Sequence, residues 1–264
     1  DRLRERERSV VSSLAVLGRP ADEDLVCAVA ALDADRESAL RGAVESGLVV
    51  INDDRYELRH ALIGEVAYRE LLPGERRQRH RLAAEQLQAR STDRSAADRV
   101  GELAVHLDRA GDVEAAFDAL ISAGDASEHI APAAALEHLL RAIELWDDAH
   151  AVSRHADLAG RLWQAADLAS ATHGNERAVE LAERALTVGP PSRGWAWGHE
   201  RLGRYLWASG RVEGSVDQFA RAHGQVDVAQ DLHRPAGGRE GEAHGLHGQG
   251  QGGVAHRCPG QSRD

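Results

Sequence analysis

The sequence predicts a mainly α-helical protein: a winged-helix domain with one small β-hairpin, a helical connector, and an α-solenoid of tetratricopeptide-like repeats. Three observations predict it. Apolar residues recur with the 3.6-residue period of buried helix faces through most of the chain. One pair of short β-branched or alternating segments flanks Asn52-Asp53-Asp54, a combination that signals a hairpin. Further on, alanine and glycine return at fixed offsets in successive helix pairs, as stacked repeats require.

The elements follow in order. Val10, Val11, Leu14, Ala15 and Leu17 form a helical stripe that Gly18 ends, and Pro20 prevents its continuation. A second helix starts near Asp22 and carries Leu25, Val26, Val29, Ala30 and Leu32. Asp33 to Asp35 close it before a third helix with Leu40, Ala43 and Val44, which Gly47 terminates. Leu48-Val49-Val50-Ile51 and the alternating Tyr56-Glu57-Leu58 are then the strands of the hairpin. A helix over His60 to Leu72 follows, on Leu62, Ile63, Val66, Ala67, Leu71 and Leu72, until Pro73-Gly74 ends it. Residues 1–72 thus form the winged-helix domain, and residues 73–96 a connector with a helix from Glu75 to about Arg90.

Residues 97–231 carry the repeats. Val100, Leu103, Ala104, Leu107, Gly111, Val113, Ala116, Leu120 and Ala123 fall at the offsets of one tetratricopeptide unit. Leu162, Ala165, Ala166, Ala169, Ala178, Ala182, Ala185 and Pro190 make another, and Leu202, Gly203, Leu206, Gly210, Val212, Ser215, Phe219 and Ala222 a third. Small residues are needed where two antiparallel helices cross too closely for longer side chains. Between the first two units, Ala131 to Trp146 supplies a helix that stacks on the one before it. The other packing open to such helices is a non-repeating bundle. Residues 232–264 break the pattern: from His233 there are nine glycines in 32 residues, too little apolar surface to offset ordering, so this tail is expected to be disordered. Its Gly, Arg, His, Gln and Pro content is what a GC-rich message yields out of frame. A nucleotide sequence in which no other frame resumes helical repeats beyond Leu232 sinks that explanation.

Composition bounds the function. The 264 residues (28.5 kDa) give room for two or three domains. Apolar runs such as Val26 to Leu32 are far too short to span a bilayer, and the charged start Asp1-Arg2-Leu3-Arg4-Glu5 lacks the apolar core of a secretory signal. A cytoplasmic protein with no membrane partner is expected. Cys27 and Cys258 lie far apart, against a disulfide framework or a structural zinc site. The net charge of −11 disfavours a whole-surface nucleic-acid binder. Methionine is absent, which leads us to expect a piece of a longer protein. Lysine is absent too, so no GxxxxGK[ST] phosphate loop exists and neither catalysis nor a bound cofactor is expected in this chain.

The stretch from Tyr56 to Leu72, YELRHALIGEVAYRELL, followed by Glu75-Arg76-Arg77-Gln78-Arg79-His80-Arg81, resembles the large ATP-binding LuxR-type transcriptional regulators and their relatives among the signal-transduction NTPases. The likeness covers about Ser9 to Asp231. It implies a parent protein in which an ATP- or ADP-binding core precedes the winged helix and a DNA-binding helix-turn-helix follows the solenoid. The solenoid would bind a protein or small-molecule inducer, and DNA would be met only through the helix-turn-helix. Arg59-His60-Ala61-Leu62 is similar to the "MHD" signature of these NTPases, whose histidine contacts the β-phosphate of ADP in the resting state. His60, with Arg59 beside it, is therefore the candidate nucleotide-state sensor of the parent; here Ala61 replaces the aspartate. The alternative for His60 is a residue that only caps or packs the helix after the hairpin.

Other constellations are less pointed. Arg76, Arg77, Arg79, His80 and Arg81 make the one basic cluster, flanked by Glu75 and Glu85 without interleaved aromatics, and read as a solvated face. The helix from Arg36 to Glu45 alternates Arg36, Glu37, Arg41 and Glu45, a poor face for phosphates. No HExxH occurs, and Glu128-His129 and Glu137-His138 are helix neighbours that point apart, so no metal is expected. Trp195, Trp197, Trp207 and Tyr205 are the one aromatic cluster, read as packing between helices with a recognition role left open. Three functions remain in play: a regulatory part of a LuxR-type regulator, a free-standing peptide-binding scaffold, and the sensor region of a cyclase-type signalling ATPase.

Overall fold

The computed structural model describes residues 4–32, 35–89, 96–150, 157–189, 191 and 193–224. The expected disordered tail lies outside the described residues.

Helix α1 (Glu5–Leu17) starts with the Glu7 side chain accepting from the Arg4 amide at 2.9 Å and ends on Gly18 with φ 68°, the left-handed geometry that glycine adopts without strain. In α2 (Glu23–Val29) the Asp22 carboxylate accepts from the Leu25 amide at 2.9 Å. Helix α3 (Arg36–Glu45) leads into β1 (Val49–Asn52) and β2 (Arg55–Leu58), which pair antiparallel with Val49 opposite Leu58 and Asn52 opposite Arg55. Both turn residues, Asp53 (φ 49°) and Asp54 (φ 58°), are left-handed, which matches the twist of a two-residue hairpin. Ala21 adds a rung that periodicity could not reveal: its amide and carbonyl exchange bonds of 3.0 and 2.8 Å with Tyr56. One isolated residue carries no pattern.

Helix α4 (Ala61–Glu70) departs from its apolar stripe. Ile63 and Ala67 pack on the winged-helix core, but Leu62 and Val66 are 71% and 56% exposed and no residue of the helix is fully buried. The chain leaves α4 at Leu71, whose backbone is extended, and Pro73 opens α5 (Pro73–Ala89), because proline lacks only an amide that the first helical turn leaves unpaired anyway.

The solenoid comprises α6 (Ala96–Ala110), α7 (Val113–Ser127), α8 (Pro132–Glu144), α9 (Leu158–Ala171), α10 (Asn175–Val188), α11 (Trp195–Ala208) and α12 (Val212–Ala222). Each helix packs on its chain neighbours. Close approach explains the small residues: a Cβ on Gly203 would sit 2.9 Å from the Phe219 ring of α12, and one on Gly124 of α7 would sit 2.7 Å from Leu139 of α8. Side-chain bonds show two rows. Asp125 of α7 and Glu128 at its C-terminal cap meet Arg161 and Gln164 of α9, and Asp167 of α9 meets Arg201 and Tyr205 of α11. In the other row, Asp108 of α6 meets Arg141 of α8. Thus α7, second helix of its unit by offset, stands in the row of α9 and α11, the first helices of theirs. It does so because one helix, α8, separates that unit from the pair α9–α10 and shifts the alternation by one; Ala116 and Ala123 in one core and Gly124 under Leu139 let α7 pack on both neighbours.

Three cores result. Val10, Leu14, Leu25, Val26, Val29, Leu40 and Val49 fill the winged helix; Ala104, Phe117, Leu120, Ala142 and Trp146 the start of the solenoid; Leu139, Leu162, Ala165, Ala182 and Leu206 the rest. Consecutive residues of α5 serve different cores: Ala83 belongs to the first and Ala84 to the second.

Candidate functional site

The row formed by α7, α9 and α11 builds a cleft of about 320 Å³, lined by Glu128, Trp163, Gln164, Asp167, Arg193, Trp197 and Arg201 with Gly160 and Pro191. The repeat dictates it: in α9 the small and apolar residues Ala159, Leu162, Ala165, Ala166 and Ala169 are buried in the core, leaving Arg161, Gln164 and Asp167 on the other face. Asp167 accepts from both Arg201 and the Tyr205 hydroxyl, and burial followed by the nearby Asp167 pushes the Tyr205 hydroxyl well above the ordinary tyrosine range. Gln164 donates to Asp125 at 3.0 Å and to Glu128 at 2.8 Å, and Arg161 to Asp125 at 2.5 Å. Trp163 meets Trp197 edge to face with centroids 5.1 Å apart, and the guanidiniums of Arg193 and Arg201 lie 5.7 and 5.8 Å from the Trp197 ring. Such a cleft offers aromatic edges, cations and carboxylates together, the means to hold a polar chain or small ligand by orientation.

A second constellation joins the two parts of the molecule. The Tyr68 hydroxyl of α4 lies 3.0 Å from His80 Nε2 of α5, and His80 Nδ1 lies 2.8 Å from His106 Nδ1 of α6. His80 and His106 are 1% and 3% exposed. Burial, then His106 and Arg109, lowers the His80 pKa to about 3; burial, outweighing the opposing pull of Glu102, lowers His106 to about 4. Both rings are therefore neutral, one Nδ1 donating to the other. Arg19 bridges to Glu102 of α6 at 2.6 Å beside them, and Arg76 and Arg109 stack on Tyr68 at 5.0 and 5.8 Å.

The sequence-singled residues fall as follows. Arg59 and His60 are both exposed. Arg59 closes the base of the hairpin, its Nε donating to the Gly47 carbonyl at 2.6 Å. His60 occupies the N-cap position of α4 with extended backbone, but its side chain makes no capping bond. The basic cluster is not one face. Arg79 is drawn inward to Ser13 (2.8 Å), Ser9 (3.0 Å) and the Val29 carbonyl (3.2 Å), His80 is buried, and Arg76 covers Tyr68, which leaves Arg77 and Arg81 outermost. On α3, Arg41 pairs with Glu37 at 2.6 Å and Arg36 with Asp24 at 3.2 Å. The aromatic cluster divides: Trp197 lines the cleft and Tyr205 is buried behind it with its hydroxyl on Asp167, whereas Trp195 and Trp207 are 44% and 62% exposed. Among the described residues no group of three His, Cys, Asp or Glu is placed to hold a metal. No helix there is long and apolar enough to cross a membrane. Sequence reasoning missed Trp163, Gln164, Asp167 and the His80–His106 pair. The polar set Arg161, Gln164, Asp167 was a usable signal; nothing local marks two histidines 26 residues apart as neighbours.

Comparisons with known proteins are sparse. No family profile matches the sequence, and no curated protein matches it. Among solved structures, a signal-transduction ATPase with numerous domains carrying a tetratricopeptide repeat sensor, from Pyrococcus horikoshii, aligns at 14% identity and TM-score 0.46 over 87% of this chain and 33% of its own. MamA aligns at 17% identity and TM-score 0.32 over 55% of this chain and 85% of its own. BtubC from P. vanneervenii aligns at 14% identity and TM-score 0.30 over 91% and 98% of the two chains. The chain thus spans a third of the length of the first of these.

Proposed function

We propose that this chain is the sensing and coupling part of a cytoplasmic ATP-dependent regulator of the LuxR type, without catalysis of its own. The solenoid cleft takes the inducer or partner, and α5 passes the consequence to the winged helix. The observation that carries this reading is the double membership of α5. A change in how α6 packs is felt at His80, Arg79 and Ala83, hence at α1 and α2. Binding shifts such a joint only if the partner prefers one of its two arrangements.

A photo-crosslinking residue at Gln164 in the cleft, compared with one at the exposed Arg184 of α10, tests the binding half. The reading expects a discrete adduct from Gln164 alone in the native cell; equal labelling or none removes the cleft from the function. His60 is proposed as a nucleotide-state sensor only when an ATP-binding core is present. Titrating ADP into such a protein with and without His60→Ala should show weaker binding in the variant, and unchanged affinity and activation remove that role.

A further inference from the structure

The cleft holds more hydrogen-bond donors than it uses. The Trp163 indole Nε1 is buried without a partner in a residue only 4% exposed. Arg201 Nε is likewise buried and unpartnered, while another nitrogen of the same guanidinium serves Asp167. Arg193 stands exposed over Trp197, with no carboxylate partner among the described residues. All three line one cavity. Asp167 takes Arg201 and Tyr205 on one oxygen, Oδ1, and Glu128 takes Gln164 on Oε2, but neither carboxylate reaches the Trp163 or Arg201 Nε proton. Unpartnered buried donors are rare in folded proteins and call for an acceptor.

We propose that the cleft binds a carboxylate, held by the Arg193 guanidinium and completed by the Trp163 indole N–H and Arg201 Nε. The inference rests on the cleft being the recognition site and names the chemistry that site selects. A carboxylate is planar and presents two oxygens to a forked guanidinium. Its single charge matters, because Glu128 and Asp167 offset Arg193 and Arg201 in the lining and a phosphate dianion brings more negative charge than one free guanidinium answers. The volume, about 320 Å³, suits one side chain, a chain end or a small acid rather than a whole helix.

Indole N–H signals in a ¹H–¹⁵N spectrum of the full chain test this directly, with Trp163→Phe identifying its resonance and circular dichroism checking the fold. The probes are N-acetylglycine, N-acetylglutamate α-amide and benzoate, against N-acetylglycinamide and inorganic phosphate. A saturable shift of the Trp163 signal with carboxylates, absent with the amide, is expected. Arg193→Gln, a change at an exposed position, should weaken it about tenfold or more. No shift with any carboxylate, an equal shift with the amide, or phosphate binding as well as carboxylate overturns the proposal. Which probe binds best separates a chain end, an acidic side chain and a free small acid. A Gln164 adduct without a Trp163 shift overturns only the carboxylate; a shift without an adduct keeps it and removes the protein partner.

Discussion

The winged-helix core is filled mainly by Val10, Leu14, Leu25, Val26, Val29, Leu40 and Val49, whereas the solenoid cores set many alanines, among them Ala104, Ala116, Ala123, Ala165, Ala166, Ala178, Ala182 and Ala185, between large residues such as Leu139, Leu162 and Trp146. The difference follows from how each region closes. In the winged helix, α1 touches α2, α3, α4, α5 and β2, so large side chains must fill a centre shared by many elements. In the solenoid each helix meets its chain neighbours, and small residues let the backbones come close. One region therefore stands or falls as a unit, while damage in the other stays near its origin. Helix α5 belongs to both.

The largest test of that contrast is a cavity at the shared centre. Leu25 is 2% exposed, and Leu25→Ala should cost about 3–5 kcal/mol. Hydrogen exchange should show protection falling together through α1, α2, α3 and α5, with α9 to α12 nearly unchanged. Equal loss in α11 and α12 breaks the comparison.

The joint comes next. Free histidine titrates near 6.5, and folding holds His80 near 3 and His106 near 4. The unfolded chain thus takes up protons first as pH falls. The stability these rings contribute is complete above pH 6.5 and is lost as pH drops toward 4, at up to about 1.4 kcal/mol per unit for each ring. The groups around them set the size: Tyr68 from α4, Arg109 and Glu102 from α6, and Arg19 from the α1–α2 link. Urea titrations at pH 7.5 and 5 should differ by about 2–4 kcal/mol. His80→Gln with His106→Gln should flatten that dependence, and a slope unchanged in the double variant removes the joint as its source.

Much of this was legible. The hairpin could be read from Asn52-Asp53-Asp54, helix ends from Gly18 and Gly47, and the repeats from offsets such as Gly203 opposite Phe219. These are local or periodic facts, set by backbone geometry and spacing. What stayed hidden depends on contacts between distant segments. Arg79 looked like part of a solvated basic face but reaches Ser9, Ser13 and Val29, and periodicity placed Leu62 and Val66 on a core side that turns out exposed. The cleft was half visible: Trp197 and Tyr205 belonged to an evident cluster, but their partners Trp163 and Asp167 lie a repeat away.

A local insult to the solenoid should be smaller. Gly203→Val forces a branched side chain against the Phe219 ring, where even a Cβ stands 2.9 Å away, and should cost about 1–3 kcal/mol. Exchange should quicken in α11 and α12 and remain native in α1 to α5; loss of protection in α1 contradicts nearest-neighbour stability.

The smallest effect is expected at a tie on the solenoid surface. Arg141 of α8 grips Asp108 of α6 with two bonds of 2.8 Å and also meets Glu144 at 2.8 Å, and the hydrogen bonds to Asp108 raise its pKa above the ordinary arginine range. Two-pronged geometry favours a real contribution, but the Arg141 side chain is 43% exposed, so solvent weakens the pair. Asp108→Asn should therefore cost less than about 1 kcal/mol in thermal unfolding, and less again in high salt. A loss as large as that of Leu25→Ala would mean that the row of α6 and α8 is held by its ion pair rather than by Ala104, Ala142 and Trp146 beneath it.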